Sequence, residues 1–166
     1  MTSKFYPQFI PYWNDDERKA VNKVLESDYL NEHKTVREFE KKFAEFVNAK
    51  YCITCTSGTN AIYLALMAFK KIFRGKSVFV PDYAGIFVAN SSTQAGFDVK
   101  LSDVSDNGSM MGKKINGFTV HSNGRLGQSK FLEDCAQFTE HHSKNLISCY
   151  SFASTKHLTT AGQGGA

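Results

Sequence analysis

The sequence predicts an α/β fold with a mainly parallel sheet and helices on both of its faces. Apolar residues recur at helical spacing in several segments, and short apolar runs of strand composition lie between them. Successive runs are separated by roughly ten to twenty residues, which suits crossover connections between parallel strands. The chain has 166 residues, a length that favours one domain with a sizeable core.

Two helices are predicted in the amino-terminal segment, 1–50. Asn14 and Glu17 have the spacing of a capping box, in which two side chains bond each other's backbone amides. The apolar face that follows comprises Ala20, Val21, Val24 and Leu25. Thr35 and Glu38 repeat the capping-box spacing and predict the start of a second helix. Its apolar positions are Val36, Phe39, Phe43, Phe46 and Val47.

A strand, a small polar turn and a helix follow one another at the start of the core segment, 51–166. Residues 51–56 have strand composition, and Ser57-Gly58-Thr59-Asn60 leads directly into a helix. The first amides of a helix are unpaired and its dipole is positive there, so a phosphate group is stabilised without a basic side chain. Serine and threonine cap helices of every kind, so this signal is weak alone.

Shorter elements complete the predicted core. A strand over 77–80 ends before Pro81, and residues 83–90 predict a short helix. Further strand candidates are residues 99–101, 118–121, 131–133 and 146–152. Turn dipeptides and single glycines separate them: Gly96, Asn107-Gly108, Asn116-Gly117 and Asn123-Gly124.

The composition excludes several classes of protein. Hydrophobic residues make up 42% of the chain and aromatic residues 13%, so it is of neither the disordered nor the membrane type. The net charge of +4 comes from cations scattered among carboxylates, as on solvated faces, and forms no nucleic-acid-binding stripe. No secretory signal is visible at the amino terminus. We therefore expect a cytoplasmic protein with no nucleic-acid or membrane partner.

The cysteines indicate buried thiols. Cys52 and Cys55 have the spacing of a redox or zinc pair, but the second pair that a zinc site needs is missing. They lie in a predicted strand, so we expect small buried thiols in a reducing compartment and no metal. A thiol-dependent protein is the alternative interpretation.

Two stretches have the character of a reactive site. Lys156 follows the apolar run 146–152 and precedes a glycine-rich stretch, and a parallel sheet places its chemistry beyond the carboxyl ends of its strands. The pKa of a lysine is lowered by nearby cations or by apolar surroundings. The neutral amine can then form an imine with an aldehyde cofactor. A solvated surface lysine is the alternative. The second stretch is Glu133-Asp134-Cys135-Ala136-Gln137, whose Asp134 carboxylate and Gln137 amide are spaced to face one ligand.

From about Phe9 onward the chain resembles the amino-terminal part of the DegT-like nucleotide-sugar aminotransferases, a branch of the fold-type I pyridoxal-phosphate enzymes. The matching stretches occur in the order that the family has. They are the helix over 35–46, Ser57-Gly58-Thr59-Asn60-Ala61, Glu133-Asp134-Cys135-Ala136-Gln137, and Ser151-Phe152 with Lys156 and Gly164-Gly165. The resemblance implies that 1–166 is an incomplete large domain of such a transferase, without the small carboxy-terminal domain.

The resemblance also implies a role for individual residues. Lys156 bonds to the aldehyde of pyridoxal 5'-phosphate and moves protons, Asp134 keeps the pyridine nitrogen protonated, and Gln137 bonds the phenolic oxygen of the ring. The phosphate is assigned to the amides of Gly58 and Thr59 and the hydroxyl of Ser151.

The activity implied by the resemblance is amino transfer, from glutamate, to a keto-sugar nucleotide in polysaccharide or amino-sugar biosynthesis. Relatives that dehydrate sugars carry histidine in place of the lysine, so Lys156 favours amino transfer. A homodimer or a complementing polypeptide is the implied partner. The alternative is a truncated, non-catalytic fragment that binds the cofactor weakly or associates with a full-length partner.

The chain departs from the family pattern at several positions. Gly85 stands where the family places a flat side chain over the cofactor ring, so stacking would come from Tyr83 or Phe87 or be absent. Ser122-Asn123 replaces the customary apolar pair after Val120-His121. The chain also stops inside the strand that is expected after Lys156.

Overall fold

Helices and strands alternate along most of the chain. The computed structural model describes residues 10–27, 29–30, 34–104, 110–111, 118–124, 126–127, 131–139 and 146–166. The helices are α1 (Asp15–Leu25), α2 (Lys34–Phe46), α3 (Gly58–Ile72) and α4 (Ile86–Gln94). The strands are β1 (Ser77–Pro81), β2 (Asp98–Ser102), β3 (Met110–Met111), β4 (Phe118–Val120), β5 (Leu132–Asp134) and β6 (Ile147–Cys149).

The strand pairing is mainly parallel, as predicted, and the described strands form a two-stranded and a four-stranded sheet. β1 pairs with β2 in parallel, and β4, β5 and β6 form a parallel ladder in that order. β3 adds an antiparallel strand beside β4, which the sequence did not predict. Because β4, β5 and β6 run in the same direction, their carboxyl ends lie along one edge, and it is this edge that positions the candidate site.

Helices cover both faces of the β4–β6 sheet, as predicted. Leu132 of β5 belongs to a core that includes Leu66 of α3, which is completely buried. Tyr150 directly follows β6, and it packs on the opposite side, because successive extended residues point to opposite faces. There the ring of Phe43 in α2 lies 4.9 Å from that of Tyr150 and 5.1 Å from that of Phe152.

The capping box predicted at the start of α1 is confirmed. The Asn14 amide donates to Glu17 Oε2 (2.7 Å), and Asn14 Oδ1 accepts the amide of Asp16 (2.7 Å). Both contacts are local, so sequence spacing alone is sufficient to specify them. The apolar face of α1 is not buried against the described part of the chain.

The second predicted capping box is wrong. α2 begins at Lys34, so Thr35 lies inside the helix and is not its cap. Glu38 instead forms an ion pair with Lys42, at 2.9 Å and one turn away. Both side chains are largely exposed, so this pair contributes little to stability.

The predicted strand over 51–56 is also wrong as a regular strand. Only Cys55 makes a β-bridge, with Gly165. The amide of Thr54, which a strand would use in its ladder, donates to Glu40 Oε1 of α2 (2.8 Å), and the Thr54 hydroxyl bonds the same oxygen (2.9 Å). A side chain from a neighbouring helix therefore replaces strand pairing here.

Other predicted elements exist with shifted limits. The helix expected over 83–90 begins later, at Ile86, because Gly85 is its extended N-cap residue. β4 and β5 fall within one residue of their expected limits, whereas β6 ends three residues before the apolar run 146–152 does. The turns predicted at 107–108 and 116–117 lie outside the described residues.

None of the helices in the described ranges is long and apolar enough to cross a membrane.

Candidate functional site

The start of α3 has the geometry that the small polar turn predicts. Ser57 is the N-cap, and its Oγ accepts the amide of Asn60 at 3.2 Å. Its carbonyl accepts the amide of Ala61 at 2.9 Å. The intervening amides of Gly58 and Thr59 belong to the first turn, where no intrahelical acceptor exists. These amides and the positive end of the helix dipole favour an anion at this position.

Gly58 and Ser151 lie against each other although they are far apart in sequence. A Cβ atom added at Gly58 would lie 2.6 Å from Ser151 Cβ and 3.1 Å from its Oγ. Gly165 closes the same corner, since a Cβ atom there would lie 2.7 Å from Gly58 N. The backbone of Gly165 pairs with Cys55 on one side and Ser151 on the other. The start of α3, the Ser151 hydroxyl and the chain beyond Lys156 therefore meet at one corner.

Asp134 and Lys156 reach the same sheet edge from two segments. Asp134 ends β5 and is only 3% exposed. Burial raises the pKa of its carboxyl, while the amide of Ala136, which donates to Oδ1 (2.9 Å), and the positive charge of Lys156 act in the opposite direction. The structure thus places a buried carboxyl within electrostatic reach of a lysine, an environment typical of acid-base sites.

Lys156 lies in the turn after β6, and its side chain is half-buried. Its amide donates to the carbonyl of Ala153 at 2.9 Å, which fixes the backbone of the turn. Three residues further on, Thr159 Oγ1 is buried and has no hydrogen-bond partner among the described residues. An unpaired buried hydroxyl is costly unless a ligand or water satisfies it. Thr159 is therefore a further candidate binding residue, which the sequence did not reveal because its local pattern is ordinary.

Gln137 and Thr59 occupy the margins of the site. Gln137 is half-buried, in the turn closed by the hydrogen bond from Phe138 N to Cys135 O (3.0 Å). Thr59 is exposed at the start of α3, and its carbonyl accepts the Ser91 hydroxyl of α4 at 3.3 Å. This contact holds the start of α3 against α4 beside the corner that Gly58 forms.

A second polar group lies behind the edge. His121 and Glu133 are each 1% exposed, and His121 Nε2 lies 2.8 Å from Glu133 Oε2. The amide of Gly127 donates to His121 Nδ1 at 3.1 Å, and the Ser148 hydroxyl donates to Glu133 Oε1. This network was not predicted from the sequence. The signal that could have indicated it is the presence of polar residues at positions expected to be buried in strands.

His121, Glu133 and Cys135 have the spacing of a metal site, since their ligand atoms lie within 4.8 Å of one another. The hydrogen bonds argue against metal binding there. Nδ1 of His121 accepts the Gly127 amide, so the ring proton is on Nε2 and is directed at Glu133. A metal at Nε2 would require that proton to leave while Nδ1 remains an acceptor, which a neutral imidazole does not allow.

The ring of Phe87 lies over the backbone of Gly85. A Cβ atom added at Gly85 would collide with the Cζ and Cε1 atoms of that ring. Tyr83, the other aromatic residue of this loop, is 75% exposed. The space that a side chain at position 85 would enter is therefore filled by Phe87.

The cysteines have the character of unreactive thiols. Burial raises the pKa of Cys52 to about 11 and raises that of Cys55 as well. Cys135 and Cys149 are 2% exposed, and burial raises the pKa of both. All four stay protonated at neutral pH, whereas the thiolate is the form that reacts. The thiol-dependent interpretation loses its support here.

An α/β sheet with an anion-binding helix start, a buried carboxyl and a lysine at its carboxyl edge has the features of a ligand-binding α/β protein. The family model described as the DegT/DnrJ/EryC1/StrS aminotransferase family matches residues 11–116. The chain belongs to this family.

Individual relatives agree with this membership. The chain is 28% identical to the GDP-perosamine synthase of Vibrio cholerae, and the match covers 96% of the chain and 51% of the relative. An aminotransferase structure from Psychrobacter cryohalolentis has a TM-score of 0.77 at 27% identity, over 98% of this chain and 48% of that one. The PLP form of the sugar aminotransferase Spr1654 of Streptococcus pneumoniae shares the fold, with a TM-score of 0.79 at 17% identity over 96% of this chain and 52% of that one. The chain spans about half the length of the relatives that it matches along nearly its whole length.

Proposed function

We propose that the site at the carboxyl edge binds pyridoxal 5'-phosphate and that the protein transfers an amino group to a keto-sugar nucleotide. One observation carries the proposal: the start of α3 at Gly58 lies against Ser151, at the carboxyl edge of the sheet where β5 ends in the buried Asp134. Family membership and the relatives' names support the same activity. The donor that we propose is glutamate, as the family resemblance implies.

The residues of the site fit this cofactor at both of its ends. At the phosphate end, the amides of Gly58 and Thr59 start α3, and the absence of a side chain at Gly58 lets the Ser151 hydroxyl approach within contact distance. At the ring end, Asp134 is a buried carboxyl whose negative charge has lost its water. A bound cation would replace that hydration, and a protonated ring nitrogen is such a cation.

The bound cofactor supplies an electron sink for the carbon that loses its proton. Asp134 holds the proton of the ring nitrogen in place. Lys156 is half-buried on a fixed turn, and its Nζ takes up and returns the proton that is moved. Gln137 would donate from its side-chain amide to the ring oxygen. Gly58, Thr59 and Ser151 would hold the phosphate.

We also propose the wider organisation that the resemblance implies. Residues 1–50 form a helical segment and residues 51–166 the cofactor-binding core of a large domain. The substrate is a small molecule, a nucleotide sugar, and the partner is a second copy or a complementing polypeptide. Analytical ultracentrifugation of the chain, alone and with the cofactor, tests this last point.

Absorbance spectroscopy of the purified chain with added pyridoxal phosphate tests the proposed function. We expect a visible band in the parent that borohydride reduction removes, with a matching mass increase on the peptide that contains Lys156. Lys156→Ala should give neither signal. Lys70→Ala is the matched control, because Lys70 Nζ bonds the carbonyls of Ala95 and Gly96, at 2.9 and 3.0 Å, outside the site.

Two outcomes decide the matter. A band in the parent and in Lys70→Ala, but not in Lys156→Ala, supports a covalent cofactor site and justifies assays with glutamate and keto-sugar nucleotides. Equal spectra for the parent and Lys156→Ala would refute the proposed site in this chain.

A further inference from the structure

The buried Glu133 carboxylate accepts a hydrogen bond on each of its two oxygens. Its Oε2 accepts from His121 Nε2 (2.8 Å), and its Oε1 accepts from the Ser148 hydroxyl. These three side chains come from β5, from β6 and from the residue that directly follows β4.

The direction of each bond follows from the number of protons available. Nδ1 of His121 accepts the Gly127 amide (3.1 Å), so the only ring proton is on Nε2 and is donated to Glu133. The Ser148 hydroxyl has one proton, and it donates that proton to Glu133 Oε1. Both oxygens of Glu133 therefore act as acceptors, and Glu133 needs no proton of its own.

The backbone connects this network to Asp134. Glu133 directly precedes Asp134 and points to the other face of the sheet. The amide of His121 donates to the carbonyl of Asp134 at 3.1 Å, and the amide of Cys135 donates to the carbonyl of Cys149 at 2.7 Å. The backbone on both sides of the Asp134 side chain is thus held by members of the network or their neighbours.

We propose that Glu133 is a positioning residue for Asp134: as a buried anion clamped by His121 and Ser148, it fixes the strand end that aims the Asp134 carboxyl at the cofactor ring. The proposal rests on the proposed function. It differs from a general packing role because it requires the negative charge of Glu133. A carboxylate offers one acceptor oxygen to each of the two donors from the flanking segments, and such charge-assisted bonds are stronger than neutral ones.

Glu133→Gln is the decisive variant. It keeps the shape of the side chain, but its amide NH₂ group would face one of the two donors, His121 Nε2 or the Ser148 hydroxyl. Glu40→Gln is the matched control, since Glu40 also accepts two hydrogen bonds, both from Thr54, away from the site. The full chain of each variant is titrated with pyridoxal phosphate. The dissociation constant, the pH dependence of the bound cofactor's absorbance and the thermal unfolding midpoint are recorded.

We expect Glu133→Gln to bind the cofactor about tenfold more weakly, the lower end of the range for loss of an outer partner of a site. We also expect the pH midpoint of the bound cofactor's absorbance change to be lower in Glu133→Gln. A displaced Asp134 carboxylate would stabilise the protonated ring nitrogen less well. Glu40→Gln should keep the parental affinity and titration. His121→Gln, which retains a donor near Nε2, should lie closer to the parent than His121→Ala.

The controls separate this inference from the proposed function. A parent that binds the cofactor through Lys156, together with a Glu133→Gln variant of parental affinity and pH profile, overturns the inference alone. A parent that binds no cofactor overturns both. If Glu133→Gln does not fold, Ser148→Ala, which removes a single donor, should shift the titration in the same direction by a smaller amount, and the absence of that shift overturns the inference.

Discussion

Replacement of Gly58 by alanine tests the corner where α3 meets Ser151. The added Cβ atom would lie 2.6 Å from Ser151 Cβ and 3.1 Å from its Cα, both closer than unstrained carbon contacts. Neither atom moves by side-chain rotation, so the backbone must shift. Overpacking of this kind costs about 1–3 kcal/mol. Alanine in a helix gains about 0.4–1 kcal/mol over glycine, so we expect a net loss of about 1–2 kcal/mol.

Urea unfolding followed by circular dichroism measures this loss. Gly162→Ala is the matched control, because a Cβ atom there meets nothing within 4 Å, so its stability should equal or slightly exceed that of the parent. Gly58→Ala should also weaken the binding of pyridoxal phosphate, since the shift separates the helix start from the Ser151 hydroxyl. A Gly58→Ala variant as stable as the parent would refute the steric argument.

A double-mutant cycle identifies the contact that is responsible. Ser151→Gly removes the Cβ atom that collides with the new methyl group, so Gly58→Ala should cost less in that background. Ser151→Ala keeps the Cβ atom and should give no such relief. A coupling energy of about 1 kcal/mol between positions 58 and 151 is expected for residues in direct contact. Additive effects would place the strain elsewhere.

Three further predictions concern the acid, the core and the thiols. Burial raises the pKa of Asp134, so the folded state binds that proton more tightly and the stability of the cofactor-free parent falls as pH rises from about 4 through the raised pKa. Thermal scans should therefore show Asp134→Asn to be more stable than the parent at neutral pH, yet weaker in cofactor binding. Leu66→Ala, at a fully buried position, should cost about 2–5 kcal/mol in urea unfolding, whereas Leu64→Ala, at a half-exposed position, should cost about 0.5 kcal/mol. Cys52→Ser should retain the visible cofactor band, and its loss would revive the thiol-dependent alternative.

Features fixed by local contacts were predictable from the sequence. The capping box of Asn14 and Glu17 and the helix start at Gly58 depend on residues close in the chain, and the mainly parallel pairing follows from the repeated spacing of the strands. The same spacing rule failed at Thr35, because the helix of Phe39 and Phe43 begins at Lys34 and leaves no cap at that position. Spacing therefore indicates a helix start, but packing decides which residue is the cap.

Features that depend on distant partners were not predictable. Residues 51–56 have strand composition, yet Glu40 takes the amide of Thr54 and only Cys55 pairs with a strand neighbour. The contact of Gly58 with Ser151 and the bond between His121 and Glu133 each join segments that only the folded sheet brings together. Their residue types were visible in the sequence, but their partners were not.

The two adjacent carboxyls at the end of β5 show why burial alone does not identify the functional acid. Glu133 is 1% exposed and Asp134 3% exposed, so both have lost their water. Glu133 uses both oxygens on protein donors, whereas among the described residues Asp134 accepts one hydrogen bond, from Ala136, and its pKa rises. A buried acid with unused acceptor capacity gains most from a bound cation. The difference in hydrogen bonding, and not in exposure, therefore assigns the ligand to Asp134 and the supporting role to Glu133.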